Sequence, residues 1–263
     1  MLGLFVNTAH AATDGSSMAP YVVEYAGRLP ITSTLLTVWL TMIILVVVAI
    51  FVGRNPKLIP GKIQNFFEII IGGVYDYMAE VLEDKKLATK YFPIVMTIFL
   101  FILCMNWIGL LPGVTSIGYY DHGHLIPFFY PPATDLNITI GFALIAFFTI
   151  EFAGITAIGL WKYGGKFFNF KFLRKFNFEN VLGFFIGLIE FISEFARLIS
   201  FSFRLFGNIF AGKTLLLVVM TLVTPYLLPV PLIAYEMFVG FIQAFIFAVL
   251  TLFFIKIATE EPH

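Results

Sequence analysis

The 23 residues from Ile31 to Gly53 carry no charged side chain. As a helix they reach about 34 Å, enough to cross a hydrocarbon layer of about 30 Å. Arg54, Asn55, Pro56 and Lys57 end the run, and comparable apolar runs recur to the end of the chain. With 60% hydrophobic and only 12% charged residues, the chain holds about half the charge usual for a soluble domain. An all-α integral membrane protein with small extramembrane parts follows. Cys104 stands alone in an apolar span, so the chain makes no internal disulfide.

Taken in order, residues 1–30 read as an external N-terminal segment and 31–263 as a single membrane domain. Ala9-His10-Ala11 has the small-x-small spacing of a cleavage site, but no basic start precedes it. Membrane spans are expected at about 31–53, 91–111, 135–161, 180–223 and 232–258. Residues 63–84 place apolar positions at helical spacing among Glu68, Asp76, Glu80 and Glu83, which suits a helix lying in the membrane interface. The 114–134 connection reads as a solvated loop; Asp121, His122 and His124 within it lack a third placed metal ligand. The third span pairs Ala153 with Ala157, small residues one turn apart that admit a neighbouring helix.

Lys162, Lys166, Lys171, Arg174 and Lys175 crowd the next connection and mark it as cytoplasmic. Five crossings then put the N-terminus outside and the C-terminus inside. Residues 180–223 contain no proline and are too long to stand upright in the bilayer. The prolines at 225, 229 and 231 turn the chain back, so the last two helices are expected to form a long tilted hairpin. Gly207 with Ala211, and Gly240 with Ala244 and Ala248, form small-residue rows suited to close packing between helices.

Ionisable groups lie inside these apolar helices. Glu190, Glu194, Arg197, Arg204 and Asn208 recur at helical steps and form one polar stripe, with Ser200 a turn before Arg204. Glu236 and Gln243 share a face of the returning helix, seven residues apart. Charge at membrane depth is costly and marks ion or proton paths. Phosphate loops, dinucleotide fingerprints, metal clusters and nucleophile–base pairs are all missing from the sequence, and nothing in it addresses nucleic acid or an organic cofactor. Arg204 is the telling residue. A guanidinium stays protonated, so it repels passing cations and lowers the pKa of a carboxylate brought near it. Set between two aqueous half-channels, it would block leakage and strip a proton from a moving carrier.

The segments Ser200-Phe-Ser-Phe-Arg204-Leu-Phe-Gly-Asn208-Ile-Phe-Ala-Gly212 and Gln243-Ala-Phe-Ile-Phe-Ala-Val-Leu-Thr251 closely resemble subunit a of the F-type ATP synthases. The stretches NWIGLLPG at 106–113 and Thr134-Asp135-Leu136-Asn137 are similar to further signatures of that family. The resemblance covers nearly the whole chain. It implies a proton-translocating stator subunit in which Arg204 faces the acidic c-ring and Gln243 stands beside it, with b subunits outside. The setting it implies is the inner, or plasma, membrane of a bacterium.

The resemblance is incomplete at two positions. Many bacterial relatives carry Glu nine residues after the arginine and His seven before the glutamine, where this chain has Lys213 and Glu236. An ion pair between Lys213 and Glu236 across the hairpin, or a tunable part of the outer half-channel, is expected there. Glu151 reads either as a lining group of the inner half-channel or as a glutamate reaching the inner headgroups. The rival functions are a free-standing channel or secondary transporter, a structural membrane subunit, and Na+ in place of H+ as the coupling ion.

Overall fold

The computed structural model describes residues 20–26, 29–54, 61–111, 113–121, 124–167, 178–222 and 229–260. The Ala9-His10-Ala11 motif, Lys57, His122, the basic residues 171, 174 and 175, and the turn at 224–228 lie outside them. Among the described residues the order is β1 (Val22–Ala26), β2 (Leu29–Thr32), α1 (Ser33–Gly53), α2 (Lys62–Leu82) and α3 (Lys85–Leu110). Then come β3 (Gly118–Asp121), β4 (His124–Pro127), α4 (Leu136–Ile158), α5 (Leu160–Phe167), α6 (Phe178–Leu222) and α7 (Pro229–Thr259).

Helix boundaries follow local chemistry. Thr32 caps α1 by accepting from the Leu35 amide, Asp84 caps α3 through the Lys86 and Leu87 amides, and Asp135 caps α4 through Asn137. Glu83, at φ 54°, makes the left-handed turn that folds α3 back on α2. Gly159, at φ 92°, ends α4 before α5 begins. That break is why helix stops at Ile158 and a separate short helix fills 160–167, where the sequence leads one to expect continuous span and then basic loop. At the start of α7, Pro229 and Pro231 occupy the first turn, whose amides have no helical acceptor.

This is an all-α integral membrane protein. Four helices among the described residues, Ser33–Gly53, Lys85–Leu110, Leu136–Ile158 and Val230–Thr259, are long and apolar enough to cross a membrane. Helix α6 is different, with 45 residues and a length of about 67 Å. It runs antiparallel to α7, because successive contacts climb one helix and descend the other. Arg197 meets Phe254, Phe201 meets Phe247, Asn208 meets Gln243 and Gly212 meets Glu236. Helices α3, α4, α6 and α7 enclose the core, where Ile102, Met105, Ile150, Leu205, Phe247, Leu252 and Ile255 are fully buried.

Two expectations change. Strands β1 and β2 pair antiparallel where the sequence reads as a plain exposed lead-in. The 114–134 connection is no solvated loop either. It contains a second antiparallel pair, β3–β4, and Pro132, Ala133 and Thr134 are buried. A face of α1 explains the burial: Ser33, Thr34, Thr37 and Thr41 are all inaccessible. Thr34 donates to Asp135 Oδ2 at 2.9 Å, Ser33 donates to the Pro127 carbonyl, and Thr37 Oγ1 accepts from the Tyr130 amide at 3.0 Å. Irregular backbone is tolerated at such depth only when its polar groups find partners in protein.

The small-residue rows divide. Gly240, Ala244 and Ala248 are buried, and Gly240 lies against Asn106 of α3, whose Nδ2 donates to its carbonyl at 3.2 Å. On α6, Gly207 has open space and Ala211 is exposed; Gly212 is the position another helix uses. On α4, Ala153 is buried but Ala157 is exposed, and Gly154 receives the ring of Tyr163 instead.

Candidate functional site

The polar stripe of α6 is not evenly covered. Glu194 is buried and Arg197 half-buried, whereas Ser200, Arg204 and Asn208 are exposed. Steps of four, three, seven and four bring Asn208 back under Glu190 after five turns of a 3.6-residue helix, so what changes along the stripe is its cover: Phe254 of α7 lies over Arg197, while Ile199 and Phe203 beside Arg204 are exposed.

At the inward end, Arg197 Nη1 donates to Glu194 Oε2 at 2.6 Å, and its guanidinium lies 3.7 Å above the Phe254 ring centroid. Tyr163 of α5 reaches the same region. Its hydroxyl hydrogen-bonds the Glu151 carboxyl, and Glu194 and Arg197 act on it electrostatically. Burial first, and the Glu151 charge second, push the Tyr163 phenol far above the ordinary tyrosine range. The ring fits because Gly154 has no side chain: a Cβ there would overlap Tyr163 and stand 3.0 Å from the Ala258 carbonyl. Glu151 therefore has a bonding partner within the protein.

Arg204 occupies the outer face of α6. Its hydrogen bond among the described residues goes to Ser200 Oγ at 3.5 Å, and the neighbouring Ile199 and Phe203 are exposed apolar side chains. One turn on, Asn208 Nδ2 donates to Gln243 Oε1 at 2.6 Å. Gln243 is buried, and its Nε2 has no partner among the described residues. Glu236, Gly240 and Gln243 follow one face of α7 at steps of four and three. Trp107 Nε1 secures the same helix by donating to the Met237 carbonyl at 3.0 Å.

Lys213 and Glu236 do not form the expected ion pair. Glu236 is buried, with its carboxyl directly over Gly212. Lys213 Nζ is buried without a hydrogen-bond partner among the described residues and lies 2.9 Å from the centroid of the Tyr130 ring. The residues are neighbours across the hairpin, but about 100° of helix separates positions 212 and 213. That turn carries the lysine to the outer connection.

Sequence reasoning passed over Tyr130, Tyr163, Asp135 as a partner of Thr34, and the hydroxyl face of α1. The last had a signal, since Ser33, Thr34, Thr37 and Thr41 recur at helical spacing within a helix that carries no other hydroxyl or charged side chain. The tyrosines had none, because their partners are distant in sequence.

The chain matches the family model described as ATP synthase A chain over residues 35–256, nearly its whole length. It belongs to that family. Among curated relatives, ATP synthase subunit a of Geotalea daltonii is 35% identical over 225 residues, 86% of each chain. The subunit a of Geobacter sulfurreducens is 32% identical over 250 residues, 94% of each chain. That of Campylobacter jejuni is 35% identical over 227 residues, 85% of this chain and 89% of the relative. Membership of the ATP synthase A chain family agrees with the multi-pass membrane character that the apolar helices give the protein.

Proposed function

We propose that this chain is the ion-conducting stator subunit of an F-type ATP synthase, offering two half-channels to the carboxylates of a c-ring, with Arg204 between them. The observation that carries the reading is the Arg204 guanidinium, displayed on the exposed apolar face of a helix far longer than a vertical crossing needs. Among the described residues, its only side-chain partner is the Ser200 hydroxyl one turn away. A ring carboxylate passing it would lose its proton to the attraction of the fixed charge, and the same charge would repel an ion leaking past.

The polar groups on either side fit two routes. Glu151, Glu194 and Tyr163 cluster toward the inner part of the hairpin, and Asn208, Gln243, Glu236 and Lys213 toward the outer. The b subunits would stand against the remaining apolar surface. The basic residues between α4 and α6 favour a cytoplasmic C-terminus and an outside N-terminus, hence the inner membrane of a bacterium. Each proton crossing 100 mV releases about 2.3 kcal/mol, so several must pass per ATP, which suits a rotating carrier.

The test is passive and ATP-driven proton flux in vesicles holding this chain with its ring, before and after Arg204→Ala. Loss of pumping with a raised passive leak is expected. Conduction without the ring would identify a free-standing channel or transporter, and indifference to the arginine would identify a scaffold. Repeating the assay with and without Na+ separates the two coupling ions.

A further inference from the structure

Lys213 presents an unusual problem. Its ammonium is buried and makes no hydrogen bond among the described residues, although a buried charge ordinarily needs a partner. A carboxyl lies beside the preceding residue, where Glu236 covers Gly212. The lysine side chain is long and flexible enough to swing toward it. Instead it rests on an aromatic face.

The face is held from two sides. The Tyr130 amide donates to Thr37 Oγ1 of α1 at 3.0 Å, and that hydroxyl is itself oriented by donating to the Ser33 carbonyl at 3.0 Å. The ring packs edge-on against Tyr21, with centroids 5.1 Å apart. Burial pushes the Tyr130 phenol up to about 12, so the ring stays neutral. Asp135, the nearby acidic group of the connection, is bound by Thr34. A neutral aromatic face with a fixed position is what a desolvated cation requires in the absence of an anion.

We propose that Tyr130 is a positioning residue that parks the Lys213 ammonium and so keeps the Glu236 carboxyl available for proton exchange. The inference rests on the outer half-channel reading given above. An ion pair with Lys213 would hold Glu236 in its charged form and remove it from a relay. The lysine, kept near but not bonded, still biases the carboxyl electrostatically. Helix α1 takes part only indirectly, through Thr37 and the connection it anchors.

Phenylalanine and progressively fluorinated phenylalanines at position 130, introduced into the assembled ATP synthase, keep the ring's size while draining charge from its face. ATP-driven proton pumping in proteoliposomes is expected to fall stepwise, about 5-fold to 30-fold across the series, the range that a desolvated cation–π contact of about 1–2 kcal/mol corresponds to. With Lys213→Gln in the same complex the series should become flat. A flat series with Lys213 present overturns the proposal, and so does an equal slope in the Lys213→Gln background. Glu236→Gln tests the underlying reading separately: if it leaves proton flux intact, the outer half-channel assignment fails whatever the ring series shows.

Discussion

Gly212→Ala isolates the packing of Glu236 from its chemistry. A Cβ at 212 would overlap the Glu236 carboxyl, and restoring ordinary contact at 3.5–4.0 Å moves that group by roughly 1–2 Å. Overpacking of this kind costs about 1–3 kcal/mol, partly offset by the gain of about 1 kcal/mol when Ala replaces Gly inside a helix. The net effect on stability is small, so assembly should persist. Function is more sensitive, since misplacing a reacting group by about 1 Å can lower a rate by about 10²-fold. ATP-driven acidification of inverted vesicles should therefore drop by about 10-fold to 100-fold while subunit content stays level. Glu236→Asp shortens the side chain by one methylene and makes room for the new methyl, so Gly212→Ala with Glu236→Asp should pump better than Gly212→Ala alone. Normal pumping by Gly212→Ala, or a double variant no better than the single one, would refute the reasoning.

Thr34→Val leaves Asp135 Oδ2 without its buried donor and should destabilise the assembled subunit by about 1–3 kcal/mol, read as earlier dissociation on heating in detergent. Tyr163→Phe removes the hydroxyl bonded to Glu151; combined with Glu151→Gln its effect on proton flux should be less than additive, and full additivity would separate the two residues. Lys256→Met breaks an exposed pair with Glu83 at 2.7 Å and should leave the thermal midpoint unchanged. Lys256, through its hydrogen bond and charge, holds the Glu83 carboxyl below its usual range. Any contribution from that pair is present above the ordinary carboxylate value of 4.5 and lost as pH falls through the lowered one, so a midpoint shift that is already full in mildly acidic solution and disappears on further acidification would expose a larger role.

The spans were legible because membrane depth demands long apolar helices: α1 matches its run to within two residues, whereas α3 starts at Lys85, about a turn and a half before the apolar run that announces it. Arg204, Asn208 and Gln243 were legible because polar groups in such runs are rare, and the Asn208–Gln243 bond shows two of them brought together. Helical period alone could not give the change of burial along the stripe, which depends on which side chains of α7 cover each height of it. The outer connection misled for a different reason. Proline, tyrosine and glycine read as loop, and only the buried hydroxyls of α1 reveal that 127–135 is packed protein. Lys213 and Glu236 illustrate the limit of matching opposite charges by sequence: adjacency across a hairpin was right, but an aromatic ring from a third segment competed for the cation and won.

The great length of α6 has a geometric consequence. A straight rod of about 67 Å fits within a bilayer about 45 Å thick, headgroups included, only by leaning more than about 45° from the normal, against an average of about 20° for membrane helices. Each turn of it then advances farther sideways than downwards. It acts as a ramp, along which a passenger travelling laterally past the helix meets side chains from successively different depths, so that one slanting element can serve both surfaces of the membrane at separate places.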